Sequence, residues 1–286
     1  DNLGEYNANF KRFQKHIKPG KEGFLKSAYS AYRERSLGLG AMGFHSYLQS
    51  RNLPFEGIYA TGFNHKAFKY IKRQATKASQ RLADERGEAP DINGSGRRNA
   101  HLLAVAPNAS SSIICGGTSP SIEPYRANVY THKTLSGSFQ VKNRHLEDLL
   151  SDKKLTKKEL EEVWKDIAGH EGSVQHLDIL TDEEKEIFKT ANEIDQMWIV
   201  EHAAQRQDYI CQAQSVNLFF TIPTATESQE VHDEYMQYVN DVHWYGMNKL
   251  KSLYYFRTNA ARNAENVNLK VQRIKLDEVE CIACEG

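Results

Sequence analysis

Ser215-Val216-Asn217-Leu218-Phe219-Phe220-Thr221-Ile222 is a run rich in branched and aromatic side chains, halted by Pro223. It reads as a buried strand: such side chains suit a pleated surface, and proline cannot continue a ladder. A helical pattern follows over 227–249, with Val231, Tyr235, Val239, Val242 and Tyr245 on its inward stripe. Leu253-Tyr254-Tyr255-Phe256 then reads as a second, short strand. Strand, helix, strand at this spacing predicts a mainly parallel α/β architecture, because parallel neighbours need a crossover long enough to hold a helix. Such sheets place ligands beyond the C-terminal ends of their strands. A site is therefore expected after Ala106, after Ile222 and around Tyr255.

Upstream, residues 21–35 are helix-like and lead into the glycine-bearing stretch 37–43. Residues 64–87 form a long helical pattern, with Phe68, Ile71, Ala75, Ala78 and Leu82 on one stripe. Residues 88–96 have the composition of a loop. His101-Leu102-Leu103-Ala104-Val105-Ala106 reads as a buried strand stopping at Pro107. Thr156 with Glu159, and Thr181 with Glu184, are capping boxes that start helices. The second helix is expected to run through Ile187, Phe188, Ala191, Ile194 and Trp198.

Composition sets the bounds. Of 286 residues, 40% are hydrophobic and 26% charged, enough for a sizeable core in one large domain or two modest ones. Lys plus Arg equals Asp plus Glu at 37 each, so no global field favours nucleic acid or an anionic membrane. The apolar stretches are too short to span a bilayer, and the polar start Asp1-Asn2-Leu3-Gly4-Glu5 does not read as a signal peptide. Four cysteines are too few for a disulfide framework, which points to a reducing cytoplasm.

Four motifs carry possible chemistry. Pro107-Asn108-Ala109-Ser110-Ser111-Ser112 follows a strand and opens a short helix, offering N–H and O–H donors to a phosphate or diphosphate; an ordinary serine-capped turn has the same residues. Gly38-Leu39-Gly40-Ala41-Met42-Gly43 matches Gly-x-Gly-x-x-Gly, but charged residues rather than a buried strand precede it, so tight glycine packing is the better account. Tyr254 and Tyr255 are adjacent in a strand, where their rings should point to opposite faces unless the backbone bends. Cys281-Ile282-Ala283-Cys284 is a dithiol on a polar, aromatic-free segment: a flexible redox head or half of a zinc site. The eleven histidines show no His-Glu-x-x-His and no spacing that clusters with cysteines, so no metal site is expected. Cys115 and Cys211 lie in apolar surroundings typical of inert, buried thiols.

Taken together, these blocks resemble the C-terminal part of the large, catalytic subunit of class I ribonucleotide reductases. The resemblance runs in order through Arg35–Gly40, Arg98-Asn99, Pro107–Ser112, Ser121–Tyr125, Thr134–Gln140, Gln212–Leu218, Leu253–Thr258 and the terminal cysteine pair. It implies the second half of a ten-stranded α/β barrel over residues 1–259, with a flexible redox tail over 260–286. The implied activity is reduction of ribonucleoside diphosphates to 2'-deoxyribonucleoside diphosphates. Pro107, Asn108, Ala109, Ser110 and Ser111 would hold the substrate diphosphate. Tyr255 would receive a radical from a metal-containing small subunit, and Tyr254 would pass it to a catalytic cysteine. Cys281 and Cys284 would re-reduce the active-site disulfide and be reduced in turn by thioredoxin or glutaredoxin.

The chain departs from the family pattern in several places. It contains no Asn-x-Cys-x-Glu segment, which in the family carries the thiyl cysteine, and neither active-site reducing cysteine. The segment 88–96 is short for the family, and Cys211 stands where many relatives have Asp. The expectation is a large-subunit gene split in two, of viral type and acting in host cytoplasm. A partner polypeptide would supply the N-terminal part, with its ATP/dNTP effector sites, and this chain would bind no cofactor directly. Two other readings are a non-catalytic assembly subunit and a self-contained phosphate-binding α/β enzyme.

Overall fold

The computed structural model describes residues 12–134 and 137–258. Helix α1 covers residues 12–17, followed by α2 (Lys26–Glu34), α3 (Phe44–Ser50), α4 (Ile58–Arg86) and α5 (Ala109–Ile114). A hairpin of β1 (Val129–Thr134) and β2 (Gly137–Lys142) leads into α6 (Arg144–Asp152), α7 (Lys157–Gly169) and α8 (Asp182–Ile187). The chain continues through α9 (Gln196–Gln207), β3 (Leu218–Phe220), α10 (Gln229–Lys249) and β4 (Phe256–Thr258).

Four parallel staves organise the described residues. The Leu39 N–H donates to Leu102 O at 2.9 Å, and the Ala104 N–H returns to Leu39 O at 3.2 Å. Val105 bonds to Ala213 O at 3.1 Å and Ser215 to Val105 O at 2.9 Å. Tyr254 bonds to Val216 O at 2.9 Å, beside the parallel pairing of β3 with β4. Segments 37–40, 101–106, 212–220 and 254–258 thus lie side by side in chain order, with helices in every crossover. This is the α/β arrangement expected of a barrel half.

The glycines of the first stave serve packing. A Cβ on Gly40 would stand 2.8 Å from the backbone oxygen of Ala104, so only glycine permits this approach of the first two staves. That bears out the packing account of the Gly-x-Gly-x-x-Gly match.

Two cores form. The main one joins Leu103, Val105, Leu218, Phe219 and Phe220 of the staves to Phe68, Val200 and Val242 of α4, α9 and α10. A second lies under the hairpin, where Val129, Leu146, Leu150, Trp164, Ile167 and Val174 pack together. Both predicted capping boxes are present with reciprocal bonds, at the starts of α7 and α8.

The second of these helices is shorter than its apolar pattern suggests. It stops at Ile187 because the following backbone finds other partners: Ala191 N–H donates to Tyr125 O at 2.7 Å and Thr190 N–H to Glu193 Oε2 at 2.7 Å. A fresh helix, α9, then starts after the Asp195 cap. Helix α4 begins at Ile58, upstream of the predicted 64, since Ile58 and Tyr59 face solvent and leave no apolar stripe to read.

Candidate functional site

The tyrosine strand begins three residues later than predicted, and that brings the two rings together. Ladder pairing starts at Phe256, whereas Tyr254 and Tyr255 precede it in irregular backbone. Tyr255 O still accepts from Leu218 N–H at 2.9 Å, but Tyr255 N–H donates to the side-chain Oδ1 of Asn217 at 3.2 Å instead of a carbonyl. With the ladder interrupted, strict alternation of side chains is lost. The two rings come together, centroids 4.1 Å apart and planes at 50°, rather than pointing to opposite faces. The adjacent Tyr255 side chain holds the Tyr254 phenol above its ordinary range. Both rings are half exposed, and the Arg257 guanidinium lies 5.0 Å from the Tyr255 ring centroid.

Behind this pair sits a buried acid. The Asn217 Nδ2 donates to Glu123 Oε1 at 2.5 Å, and both side chains are buried. Burial pushes the Glu123 carboxyl up, against the opposing pull of Arg126, of the Asn217 bond and of Arg257. Neither residue stood out as functional on composition. The available signal was a lone acid in Ile122-Glu123-Pro124 and a lone amide inside an apolar strand.

The segment after Ala106 is built as an anion cradle would be. Asn108 adopts a left-handed conformation (φ +53°) and turns the chain into α5, whose first turn has no side-chain cap. The first N–H groups of such a helix have no intrahelical partner. Ser110 and Ser111 are exposed, while Ser112 is buried and donates its hydroxyl to Ala109 O at 2.8 Å. Pro107 and Asn108 are half-buried and Ala109 is exposed. A cleft of about 480 Å³ between α4, α9 and α10, lined by Thr61, Glu201, Asp208, Tyr245 and Lys249 among others, holds none of these residues.

The cysteines divide. Cys281 and Cys284 lie outside the described residues. Cys115 is exposed at the end of α5, not buried as expected, because that short helix turns Ile114 and its C-cap outward. Cys211 is half-buried, and its sulfur accepts the N–H groups of Leu102 and Leu103 at 3.0 and 3.2 Å. Burial raises its pKa, but those two bonds and Lys72 outweigh burial and leave the thiol lowered. An aspartate carboxylate at this position would make the same two acceptor contacts.

Parallel staves wrapped by helices, with an uncapped helix start beyond the second stave, define a segment of an α/β barrel. Residues 14–95 and 89–256 match the family model described as ribonucleotide reductase, barrel domain, and the chain belongs to that family. It is 44% identical over 265 residues to the ribonucleoside-diphosphate reductase large subunit of Invertebrate iridescent virus 3, covering 91% of this chain and 40% of that protein. The Caenorhabditis elegans large subunit is 30% identical over 284 residues, covering 87% of this chain and 34% of that one. The Actinobacillus ureae class Id ribonucleotide reductase alpha subunit superposes with a TM-score of 0.70 at 40% identity, covering 86% of this chain and 44% of that chain. The chain therefore spans less than half the length of these relatives. No helix among the described residues is long and apolar enough to cross a membrane.

Proposed function

We propose that the chain forms part of the catalytic large subunit of a ribonucleoside-diphosphate reductase, acting on ribonucleoside diphosphates by a radical mechanism. The observation that carries this reading is the Tyr254–Tyr255 pair, with ring centroids 4.1 Å apart at the start of the last stave. Tyr255 gives an electron and its phenolic proton to a radical acceptor on a metal-containing small subunit, becoming a neutral phenoxyl. It then takes a hydrogen atom, as electron plus proton, from the hydroxyl of Tyr254, whose ring centroid lies 4.1 Å away. The Tyr254 radical in turn takes a hydrogen atom from a cysteine thiol, leaving a thiyl radical. Losing proton and electron together avoids a high-energy tyrosine cation.

That cysteine lies outside this sequence, since no Asn-x-Cys-x-Glu segment occurs in it. It is supplied by the remaining length that the relatives possess, on the same polypeptide or on a partner, together with the sites for ATP and dNTP effectors. The substrate diphosphate rests on residues 107–111, where the uncapped start of α5 and two exposed serines support anion binding. The tail dithiol, Cys281 and Cys284, returns reducing equivalents from thioredoxin or glutaredoxin to the active site by thiol–disulfide exchange.

The test combines this chain with a polypeptide carrying the Asn-x-Cys-x-Glu segment and a radical subunit, and measures dCDP formed from CDP. Tyr254→Phe and Tyr255→Phe should each reduce turnover to background while leaving CDP binding intact. As both rings are half exposed, the thermal midpoint should move by no more than about 2 °C. Unchanged turnover in both variants would leave only an assembly role. Turnover by the solitary chain would mean a self-contained enzyme.

A further inference from the structure

Away from the tyrosine pair, Asp166, His170 and His176 converge at the C-terminal end of α7. Asp166 and His170 are one helical turn apart, and a short loop returns His176 to them. The Asp166 Oδ1 is 3.1 Å from His170 Nδ1, and its Oδ2 is 3.1 Å from His176 Nε2. One ligand atom from each residue lies within 4.8 Å of the others. The two imidazoles face each other with centroids 3.8 Å apart and planes at 30°.

The loop that carries His176 is firmly held. Gly172 (φ +87°) donates its N–H to Ile167 O at 2.8 Å, and its carbonyl accepts both the backbone and side-chain N–H of Asn128 at 3.0 Å. A Cβ at Gly172 would meet that of Ala127 at 2.4 Å, so this contact has no slack. Val174 and Leu177, on either side of His176, are buried in the second core. The three side chains are therefore brought together by fixed backbone, while Asp166 and His170 stay open to solvent.

We propose that Asp166, His170 and His176 form a site for a late first-row divalent cation of the zinc class, which clips the end of α7 to the 170–176 loop. Zinc bonds of about 2.0–2.1 Å to nitrogen and oxygen give tetrahedral edges of about 3.3 Å. Each carboxylate oxygen of Asp166 has one imidazole nitrogen 3.1 Å away, within a few tenths of an ångström of that edge. The three ligand atoms lie within 4.8 Å of one another, so closing on one ion needs only a small side-chain adjustment. Two imidazoles and one carboxylate suit zinc, cobalt or nickel, whereas calcium and magnesium call for oxygen ligands throughout. The partial negative charge at a helix C-terminus adds attraction for a cation. Solvent supplies the fourth position.

The test uses the full chain carrying Cys281→Ser and Cys284→Ser, so that the tail dithiol does not compete. Zn²⁺ titration by calorimetry should give one equivalent bound, and the thermal midpoint should rise with Zn²⁺. Co²⁺ should produce visible d–d bands without a thiolate charge-transfer band. His176→Ala and Asp166→Asn should each abolish the one-equivalent isotherm and the rise in midpoint, with the far-ultraviolet circular dichroism unchanged. His176→Gln, which retains a hydrogen-bonding side chain beside Asp166, should lose Zn²⁺ binding equally. An isotherm that survives these substitutions, or no binding by the parent chain at millimolar Zn²⁺, would overturn the proposal.

Discussion

Asn217 donates its side-chain N–H to the buried carboxylate of Glu123, and the other end of the same amide accepts the backbone N–H of Tyr255. The two bonds fix which way the amide points, since only nitrogen serves the acid and only oxygen serves the peptide. The second bond replaces a ladder bond. The strand therefore cannot run regularly through Tyr255, and the two tyrosine rings meet. Asn217 on one stave, held by the buried Glu123, thus positions the aromatic pair on the next.

Asn217→Ala would strand the Glu123 carboxyl without its donor and Tyr255 N–H without its acceptor. Leaving buried polar groups unpaired costs about 1–3 kcal/mol each. Urea unfolding should show a loss of about 2–4 kcal/mol, and turnover in the assembled enzyme should fall with CDP binding retained. A variant with wild-type stability and turnover would separate Asn217 from the placement of the tyrosines.

Glu123 also gives a pH signature. Burial dominates its shift, so the folded chain holds the proton above the ordinary value of 4.5. Its contribution to stability is full below pH 4.5 and is lost as pH rises through the raised folded value. Glu123→Gln removes that dependence. Unfolding free energies measured between pH 4 and 8 should therefore converge on the acid side and separate as pH rises; a constant difference across the range would contradict the assignment.

Acid acts in the opposite sense on two buried histidines. Burial pushes His45 and His202 from 6.5 down to about 3. Both are neutral in the fold: His45 Nδ1 accepts the Tyr125 N–H at 3.0 Å, and His202 lies against Phe44 and Phe55. Their contribution is present above pH 6.5 and is lost as pH falls toward 3, at up to about 1.4 kcal/mol per pH unit for each. His202→Gln should make the acid limb of the stability curve shallower by one such increment. An unchanged slope between pH 6 and 4 would show that His202 does not couple protonation to unfolding.

The parallel architecture was legible because branched and aromatic runs, the first halted by Pro223, bracket a long helical pattern. Both capping boxes were legible because their bonds are local. What escaped depends on partners far along the chain. Asn217 takes the Tyr255 N–H across 38 positions and thereby delays the start of a strand by three residues. Tyr125 O takes the Ala191 N–H and ends a helix whose apolar pattern continues. The β1–β2 hairpin was missed because its turn lacks the Asn-Gly type of signal. The Asp166, His170 and His176 group was missed because a loop, not a helical repeat, brings in His176.

The tail dithiol is tested by kinetics. With thioredoxin, its reductase and NADPH, replacing Cys281 or Cys284 by Ser should stop multiple turnovers of the assembled enzyme, because the serine variant has no second thiol to exchange. A single turnover by pre-reduced enzyme should persist at the parent amplitude. Cycling at the parent rate by the double variant would refute the shuttle role.

The glycines supply a control that separates packing from ligand binding. A Cβ at Gly40 would meet the Ala104 carbonyl at 2.8 Å, whereas Gly62 in α4 has no neighbour within 4 Å of such an atom. Gly40→Ala must push the first two staves apart, a backbone movement of the kind that costs about 1–3 kcal/mol. Gly62→Ala adds a better helix former in open space and should stabilise by about 1 kcal/mol. Thermal unfolding of the two variants should therefore move in opposite directions from the parent. If Gly40→Ala left stability intact and instead created or removed nucleotide affinity, the stretch from Gly38 to Gly43 would be a binding loop rather than a close contact between staves.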